Sequence, residues 1–147
     1  MQGQRLNQSD TSTSLLHLPG FALRRAANVM MRELAQQLAE MDLRLSDASV
    51  LLLVGNRDDM SSADIGKELD IQRANMVPVL ARLEESGLIS RIPIDRKSQA
   101  IVLTDAGLEK LKQTQKVANT FEKDLINRIP AAHRAHFLPA LLALLQP

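Results

Sequence analysis

The chain has 147 residues, of which 45% are hydrophobic, a length and composition that fit one domain with helical extensions. It contains no cysteine, which excludes disulfides and thiolate metal sites, and only three Phe with no Tyr or Trp, which disfavours stacking on single-stranded nucleic acid. Its 18 lysine and arginine residues nearly balance 17 aspartate and glutamate residues, so any binding of double-stranded nucleic acid must depend on where the cations lie.

The N-terminal part of the chain is predicted to be a polar arm followed by one apolar helix. Residues 1–14 are rich in Gln, Ser, Thr and Asn, which predicts a flexible arm. In residues 15–44 a helix is predicted from Phe21 to Met41, because apolar residues recur there every three or four positions. A helix this apolar must pack against another surface, so the segment is predicted to be a dimerisation helix.

Residues 45–104 are predicted to form a winged helix-turn-helix domain. Its first helix is central and buried, because Ala48–Val54 is almost wholly apolar, and Ser46 is the predicted N-cap. A second start signal follows at Ser61, with Asp64 three residues later, a spacing that fits a capping box.

The next stretch predicts two short helices that share a small core and cross steeply. Gly66 lies where the helices approach most closely, and Asp70 lies at a turn that favours left-handed backbone. The second helix is predicted from about Gln72 to Ser86, and Gly87 is a favourable left-handed stop after it.

A β-hairpin is predicted after the second helix. The segments Leu88–Ile92 and Gln99–Leu103 are rich in Ile, Val and Leu, as strands usually are. The loop Pro93–Ser98 between them is rich in turn residues and carries the adjacent cations Arg96 and Lys97 at its tip. This hairpin completes the pattern of a winged helix-turn-helix.

Residues 105–147 are predicted to form C-terminal dimerisation helices. Thr104 is the predicted N-cap of a long helix that runs to about Ile129, and a second helix is predicted over residues 131–145. The apolar run Leu141–Leu145 would be an exposed patch on a monomer, and such patches mark interfaces.

Three short motifs resemble those of the MarR family of bacterial transcriptional regulators. They are LEESGLI at Leu83–Ile89, DRK at Asp95–Lys97 and LTDAG at Leu103–Gly107. The family typically shows L-E-x-x-G-L-[IV] at the end of its recognition helix, D-x-R at the wing and L-T-x-x-G where the next helix starts.

The resemblance implies a mostly α fold with a small β-hairpin wing, in which the winged helix-turn-helix is flanked by N- and C-terminal dimerisation helices. It also implies a homodimer that binds a palindromic double-stranded DNA operator. The regulator is expected to be a repressor of a nearby operon, released by a small aromatic acid or a related anion.

Two residues depart from the family pattern. Lys97 stands where the family usually has arginine, with Arg96 just before it, which leaves open which of the two enters the minor groove. Pro78 lies inside the recognition helix, where proline removes a backbone hydrogen bond. The helix is therefore expected to be bent there or to start later.

The predicted DNA contacts lie at the two helix starts and the wing. Gln72, Arg73 and Asn75 carry groups that pair with base edges, and Arg73 is the strongest single candidate. Met76 either touches a thymine methyl group or belongs to the core. The full predicted set is Ser61, Ser62, Gln72, Arg73, Asn75, Met76, Asp95, Arg96, Lys97 and Ser98.

An effector site is predicted near the N-terminal helix. The cations His17, Arg24 and Arg25 lie close in sequence to the apolar Phe21, so an arginine here can hold a carboxylate above an apolar floor. The competing interpretation is that these are surface charges or charges that bridge a dimer.

Other functions are less well supported. No phosphate loop, nucleophile motif or cofactor site occurs, so the protein is predicted not to be an enzyme, and His133 and His136 are interpreted as surface residues rather than metal ligands. No secretory signal or membrane-spanning run occurs, which predicts a soluble, cytoplasmic protein. The alternative function is a winged-helix protein-interaction module that acts in transcription without sequence-specific DNA contact.

Overall fold

A computed structural model describes residues 15–147, and the predicted flexible arm over residues 1–14 lies outside the described residues. The elements in chain order are α1 (Pro19–Ala39), α2 (Leu45–Val54), α3 (Ser62–Glu68), α4 (Arg73–Glu85), β1 (Ile89–Pro93), β2 (Gln99–Leu103), α5 (Asp105–Arg128), a 3-10 turn (Ala131–His133) and α6 (Arg134–Leu144). The mostly helical fold with one two-stranded antiparallel hairpin is the predicted winged helix-turn-helix.

Helix α2 is the centre of the fold, as its apolar sequence predicts. It packs against α1, α4, α5 and β2, and its Val50 and Leu51 are fully buried. The core around it includes Ile65 of α3, Leu80 of α4 and Ile101 of β2. One apolar cluster therefore holds the helix-turn-helix, the wing and the long helices together.

The predicted N-cap of α2 is wrong by two residues. Arg44, with extended backbone, is the N-cap, and Ser46 lies in the first turn. The capping group is the carboxylate of Asp47, whose Oδ2 accepts a hydrogen bond from the Arg44 amide at 2.9 Å. An acidic side chain three residues after the N-cap can accept a hydrogen bond from the amide of the N-cap residue itself. The start of α2 therefore does not require a serine at the N-cap.

Helix α1 starts two residues earlier than predicted, at Pro19 instead of Phe21. Proline is favourable in the first turn of a helix because its missing N–H would have no partner there. Pro19 therefore begins this helix.

The turn between α3 and α4 has the predicted left-handed backbone, with a φ of 53° at Asp70. The Ile71 amide donates to the Gly66 carbonyl at 2.8 Å, which closes the turn. A side chain at Gly66 would place its Cβ 2.9 Å from the Ile71 carbonyl oxygen. The tight crossing of the two helices thus depends on glycine at position 66.

Pro78 lies within an unbroken α4 that begins at Arg73, so the prediction of a later start is wrong. The proline residue is exposed, whereas the neighbouring Val79 and Leu80 are buried. Since proline has no N–H, the carbonyl of Ala74 lacks the donor that a helix normally supplies four residues later.

The wing begins at Ile89, one residue after the predicted start. The Leu88 amide donates to the Leu83 carbonyl at 2.9 Å and so belongs to the end of α4, which Gly87 terminates with a φ of 74°. Ile89 then pairs with Leu103 in the antiparallel register.

Gly107, in the first turn of α5, is predicted to tolerate no side chain. A Cβ at this position would overlap the Leu88 carbonyl oxygen, a backbone atom that cannot swing aside. We expect Gly107→Ala to lower the free energy of unfolding by about 1–3 kcal/mol or more, measured by urea denaturation.

The matched control is Gly20→Ala, in the first turn of α1, where no neighbouring heavy atom of residues 15–147 lies within 4 Å of an added Cβ. It should leave stability unchanged or raise it by up to about 1 kcal/mol, because alanine is the better helix former. Equal stability of the Gly107 variant and the wild type would show that this helix does not need the close contact.

Candidate nucleic-acid interface

A groove with a cavity volume of about 980 Å³ lies between the helix-turn-helix and the wing. Its charged lining comprises five cations and two carboxylates, which are Lys67, Arg73, Arg91, Arg96, Lys97, Asp70 and Asp95. The protein as a whole carries a net charge of only +1. The fold has thus collected an excess of positive charge at one place on its surface.

Four of these five cations have no ion-pair partner within residues 15–147. Arg91 is engaged, because its Nε lies 2.7 Å from Glu84 Oε2. Lys67, Arg73, Arg96 and Lys97 are exposed and make no such pair. An anion that enters the groove can therefore bind them without breaking an existing salt bridge.

The start of α4 leaves three polar side chains exposed. Gln72 is the N-cap, but its side chain makes no capping hydrogen bond. Arg73 and Asn75 are exposed beside it, in the first turn. Exposed amide and guanidinium groups of this kind can form hydrogen bonds with the edges of bases.

Met76 is part of the core, so its assignment as a DNA contact is wrong. Its side chain is 1% exposed and packs in the main apolar cluster beneath Gly66. The residue follows Asn75 directly, but the helix turns it about 100° away, toward the protein interior.

At the start of α3 the predicted capping box is confirmed. Ser61 Oγ accepts from the Asp64 amide at 3.2 Å, and Asp64 Oδ2 accepts from the Ser61 amide at 3.0 Å. The hydrogen bond that the Ser61 amide donates to the carboxylate, followed by the interaction of the carboxylate with the Ser61 hydroxyl group, lowers the pKa of Asp64. Ser61 and Ser62 are both half-buried, and both line the groove.

Asp95 holds the tip of the wing in shape. Its Oδ1 accepts hydrogen bonds from the amides of Lys97 at 2.7 Å and Ser98 at 2.9 Å. The carboxylate thus folds the loop so that Arg96 and Lys97 stand exposed at its tip. Asp95 thus contributes by shaping the turn. Ser98, the last residue of the loop, is half-buried.

Arg82 does not belong to the cationic groove, although the sequence places it in the same helix. Its Nη2 lies 2.9 Å from Asp47 Oδ1 in α2, and the Asp47 side chain is only 6% exposed. The pair borders a second cavity of about 490 Å³, which Lys110 also lines. Lys110 Nζ donates to the Met41 carbonyl at 3.1 Å. These cations hold helices together.

The four predicted effector residues lie near the start of α1. His17, Arg24 and Arg25 are exposed, and Phe21 is half-buried. The guanidinium carbon of Arg24 lies 5.4 Å from the centroid of the Phe21 ring, within cation–π range. None of the four lines either of the two cavities described above.

Lys67 and Gln99 both line the groove, although neither is among the DNA contacts predicted from the sequence. Lys67 follows Ala63 by four residues, so helical spacing alone places it one turn along the same face of α3. Gln99 opens β2, opposite Pro93, and only the register of the hairpin brings it to the groove.

Within residues 15–147 no group of three or more His, Asp or Glu side chains is placed to hold a metal ion, and His133 and His136 are exposed. Over the same residues, no helix is both long enough and apolar enough to cross a membrane.

The wing predicts a pH dependence. The amides of Lys97 and Ser98 bind the ionised form of Asp95, so its pKa lies below the ordinary value of 3.8. Their contribution to loop stability is complete above that value and is lost as the pH falls through the lower pKa of the folded state. An NMR titration should show the two amide resonances shifting with the Asp95 carboxyl group.

In Asp95→Ala these two amides should exchange with solvent faster at neutral pH, while the amide of Asp64, held by Ser61, should not change. A titration of Asp95 at or above 3.8 would contradict the hydrogen-bonding pattern at the wing tip.

Comparison with known proteins identifies the family. A sequence model of the MarR family matches residues 43–98. The uncharacterized HTH-type transcriptional regulator YdgJ of Bacillus subtilis is 29% identical over 98 residues, which cover 65% of this chain. That match spans 60% of YdgJ, less than two thirds of its length.

Solved structures extend the similarity to nearly the whole chain. The transcriptional repressor CouR is 30% identical, with a TM-score of 0.77 over 88% of this chain and 93% of CouR. CouR bound to a 23-mer DNA duplex is 29% identical, with a TM-score of 0.83 over 97% of this chain and 100% of CouR. These relatives are transcriptional regulators and not enzymes. From the motifs, the fold and these matches, we conclude that the chain belongs to the MarR family of winged-helix transcriptional regulators.

Proposed function

We propose that this protein is a homodimeric regulator that binds a palindromic operator in double-stranded DNA, and that it acts in the cytoplasm as a repressor of a nearby operon. The observation that carries the proposal is the groove between α3, α4 and the wing, where four exposed cations have no ion-pair partner among the described residues. The similarity to CouR, whose structure was solved on a DNA duplex, supports the same partner.

In this proposal each element has a distinct contact. The first turn of α4 enters the major groove, where Gln72, Arg73 and Asn75 meet base edges. Arg96 and Lys97 at the wing tip reach the minor groove or its phosphates, and Asp95 keeps the loop in the shape that presents them. Lys67 joins this set as a phosphate contact from α3.

The proposed dimer forms through residues 15–44 and 105–147, while residues 45–104 bind DNA. Helix α6 buries none of its residues against residues 15–147 of the same chain, and Leu138, Leu142 and Leu144 are 50–67% exposed. Leucines exposed together on one helix mark an interface. Two-fold symmetry would then match two half-sites about one helical turn apart.

A protein-docking role is the second candidate, because Val77 on α4 is 61% exposed beside the exposed Pro78. An apolar helix face can pack against a protein partner. A protein with this docking role would bind DNA weakly, and its affinity would not depend on the sequence of the DNA.

The test is fluorescence anisotropy on DNA from the intergenic region beside the protein's own gene, against a scrambled duplex, over a salt series. The protein should bind the first duplex more tightly than the scrambled one. The mass of the complex, measured by light scattering, should correspond to two protein chains on each duplex.

The variants test the individual contacts. Arg73→Ala should lose about 1–3 kcal/mol of specific affinity, the usual cost of a base contact. Replacing Arg96 and Lys97 by Ala should reduce the salt slope by about one to two units.

The matched control is Arg57→Ala, since Arg57 is exposed, pairs with Asp59 and does not line the groove. It should bind as the wild type does. Equal affinity for both duplexes at every salt concentration would contradict the proposal and favour the protein-docking role.

We further propose that a small aromatic acid or a related anion releases the DNA by binding near His17, Phe21, Arg24 and Arg25. The support is the guanidinium of Arg24 above the Phe21 ring, which offers a cation beside an apolar surface. Salicylate, used as the probe, should raise the melting temperature of the wild type and of Arg32→Ala, an exposed arginine further along α1, but not of Arg24→Ala. Undiminished stabilisation of the Arg24 variant would remove this assignment.

A further inference from the structure

Helix α4 has two apolar faces, and only one of them is buried. Met76, Val79, Leu80 and Leu83 follow the spacing of one helix face, and all four are buried. Ala74, Val77, Pro78 and Ala81 follow the same spacing two residues earlier, and all four are exposed. An offset of two residues turns a helix by about 200°, so the second set lies on the side opposite the core. This second set is called the outer stripe below.

The outer stripe has no side chain that can donate or accept a hydrogen bond. Val77 is 61% exposed, which leaves its two methyl groups in solvent. Pro78 also lacks a backbone N–H. Hydrogen bonds to base edges are therefore limited to the side chains around the first turn of α4, and the middle of the helix must recognise its partner by apolar contact.

The charges around the outer stripe define what that partner is. Arg73 stands at its N-terminal end, and Lys67, Arg96 and Lys97 border the adjoining groove. Glu85 lies in the last turn of the same helix, where it would repel a phosphate. The surface thus fits a polyanion that approaches the N-terminal two thirds of α4 and presents an apolar group between its charges.

The DNA major groove meets that description at one kind of base pair. Thymine carries a C5-methyl group on its major-groove edge, and the other three bases have no apolar group there. The small side chains of Ala74 and Ala81 also let the helix backbone approach the base edges closely. A protein partner would supply apolar groups too, but nothing in its chemistry requires cations at the N-terminal end of the stripe and along the adjoining groove.

We infer that α4 reads thymine methyl groups through Val77 and Pro78, so that each half-site of the operator contains A·T pairs at the positions facing the middle of the helix. This inference rests on the proposed DNA-binding function. It makes Val77 a specificity-determining residue that acts without a hydrogen bond.

The test begins with a duplex that the full-length protein selects from a random-sequence pool. Each thymine in the selected half-sites is then replaced singly by deoxyuridine, which removes the methyl group and nothing else. At one or two positions in each half-site, affinity should fall about fourfold, the value of one buried methyl-sized group. Thymines outside the half-sites serve as controls and should show no effect.

The variant Val77→Ala identifies the side chain responsible. Because Val77 is exposed, its truncation removes no core packing, and the variant should keep the wild-type melting temperature and salt slope. The deoxyuridine penalty at one of the sensitive positions should fall from about fourfold toward none, since the methyl group would have lost its contact.

Each other outcome has a distinct meaning. If the selected duplex binds equally well with every thymine replaced, the inference is overturned and the proposed function stands. If the penalty persists unchanged in Val77→Ala at every sensitive position, the assignment to Val77 is overturned. If no sequence is enriched from the pool, both the inference and the proposed function fail.

Discussion

The buried carboxylate of Asp47 links α4 to the central helix α2. Its Oδ2 accepts from the Arg44 amide and so starts α2, and its Oδ1 accepts from Arg82 in α4. The side chain is only 6% exposed, and a charge this deeply buried is tolerated only when it is paired and hydrogen-bonded. One side chain therefore both begins the central helix and holds the helix proposed to read DNA.

A second junction brings two of the sequence motifs of this chain together. The Thr104 hydroxyl group donates to the Gly87 carbonyl and accepts from the Gly107 amide. The Thr104 amide donates to the Leu88 carbonyl at 3.1 Å, against which Gly107 packs without a side chain. The LEESGLI and LTDAG motifs thus meet at one place, where α4 ends, the wing closes and α5 begins.

Ion pairing divides the cations into structural ones and available ones. Arg82 and Arg91 pair with Asp47 and Glu84, and Arg128 forms a two-pronged pair with Glu33, at 3.2 and 2.7 Å, that joins α5 to α1. Four of the cations outside these pairs, Lys67, Arg73, Arg96 and Lys97, line the groove. A protein with a net charge of only +1 can therefore present a strongly cationic surface at one place.

The sequence by itself determined the features that depend on residues a few positions apart. The Ser61–Asp64 capping box, the left-handed backbone at Asp70 and Gly87 and the Thr104 cap were all predicted and are all present, because each is a local arrangement of backbone and side chain. Order and spacing of these signals sufficed for the fold class. The predicted starts of α1 and β1 and the predicted N-cap of α2 were wrong by one or two residues. Pro19 begins α1, Arg44 caps α2 with the help of Asp47, and the end of α4 delays the start of β1.

Only the tertiary structure decided which side chains are available to a partner. Met76 and Arg82 lie on the same helix as Arg73, yet one is buried in the core and the other pairs with a carboxylate 35 positions away. Gln99 comes to the groove through the register of the hairpin, which sets it opposite Pro93. The exposure of a side chain and its ion-pair partners depend on which distant parts of the chain pack against it. The identities of its neighbours in sequence say little about those contacts.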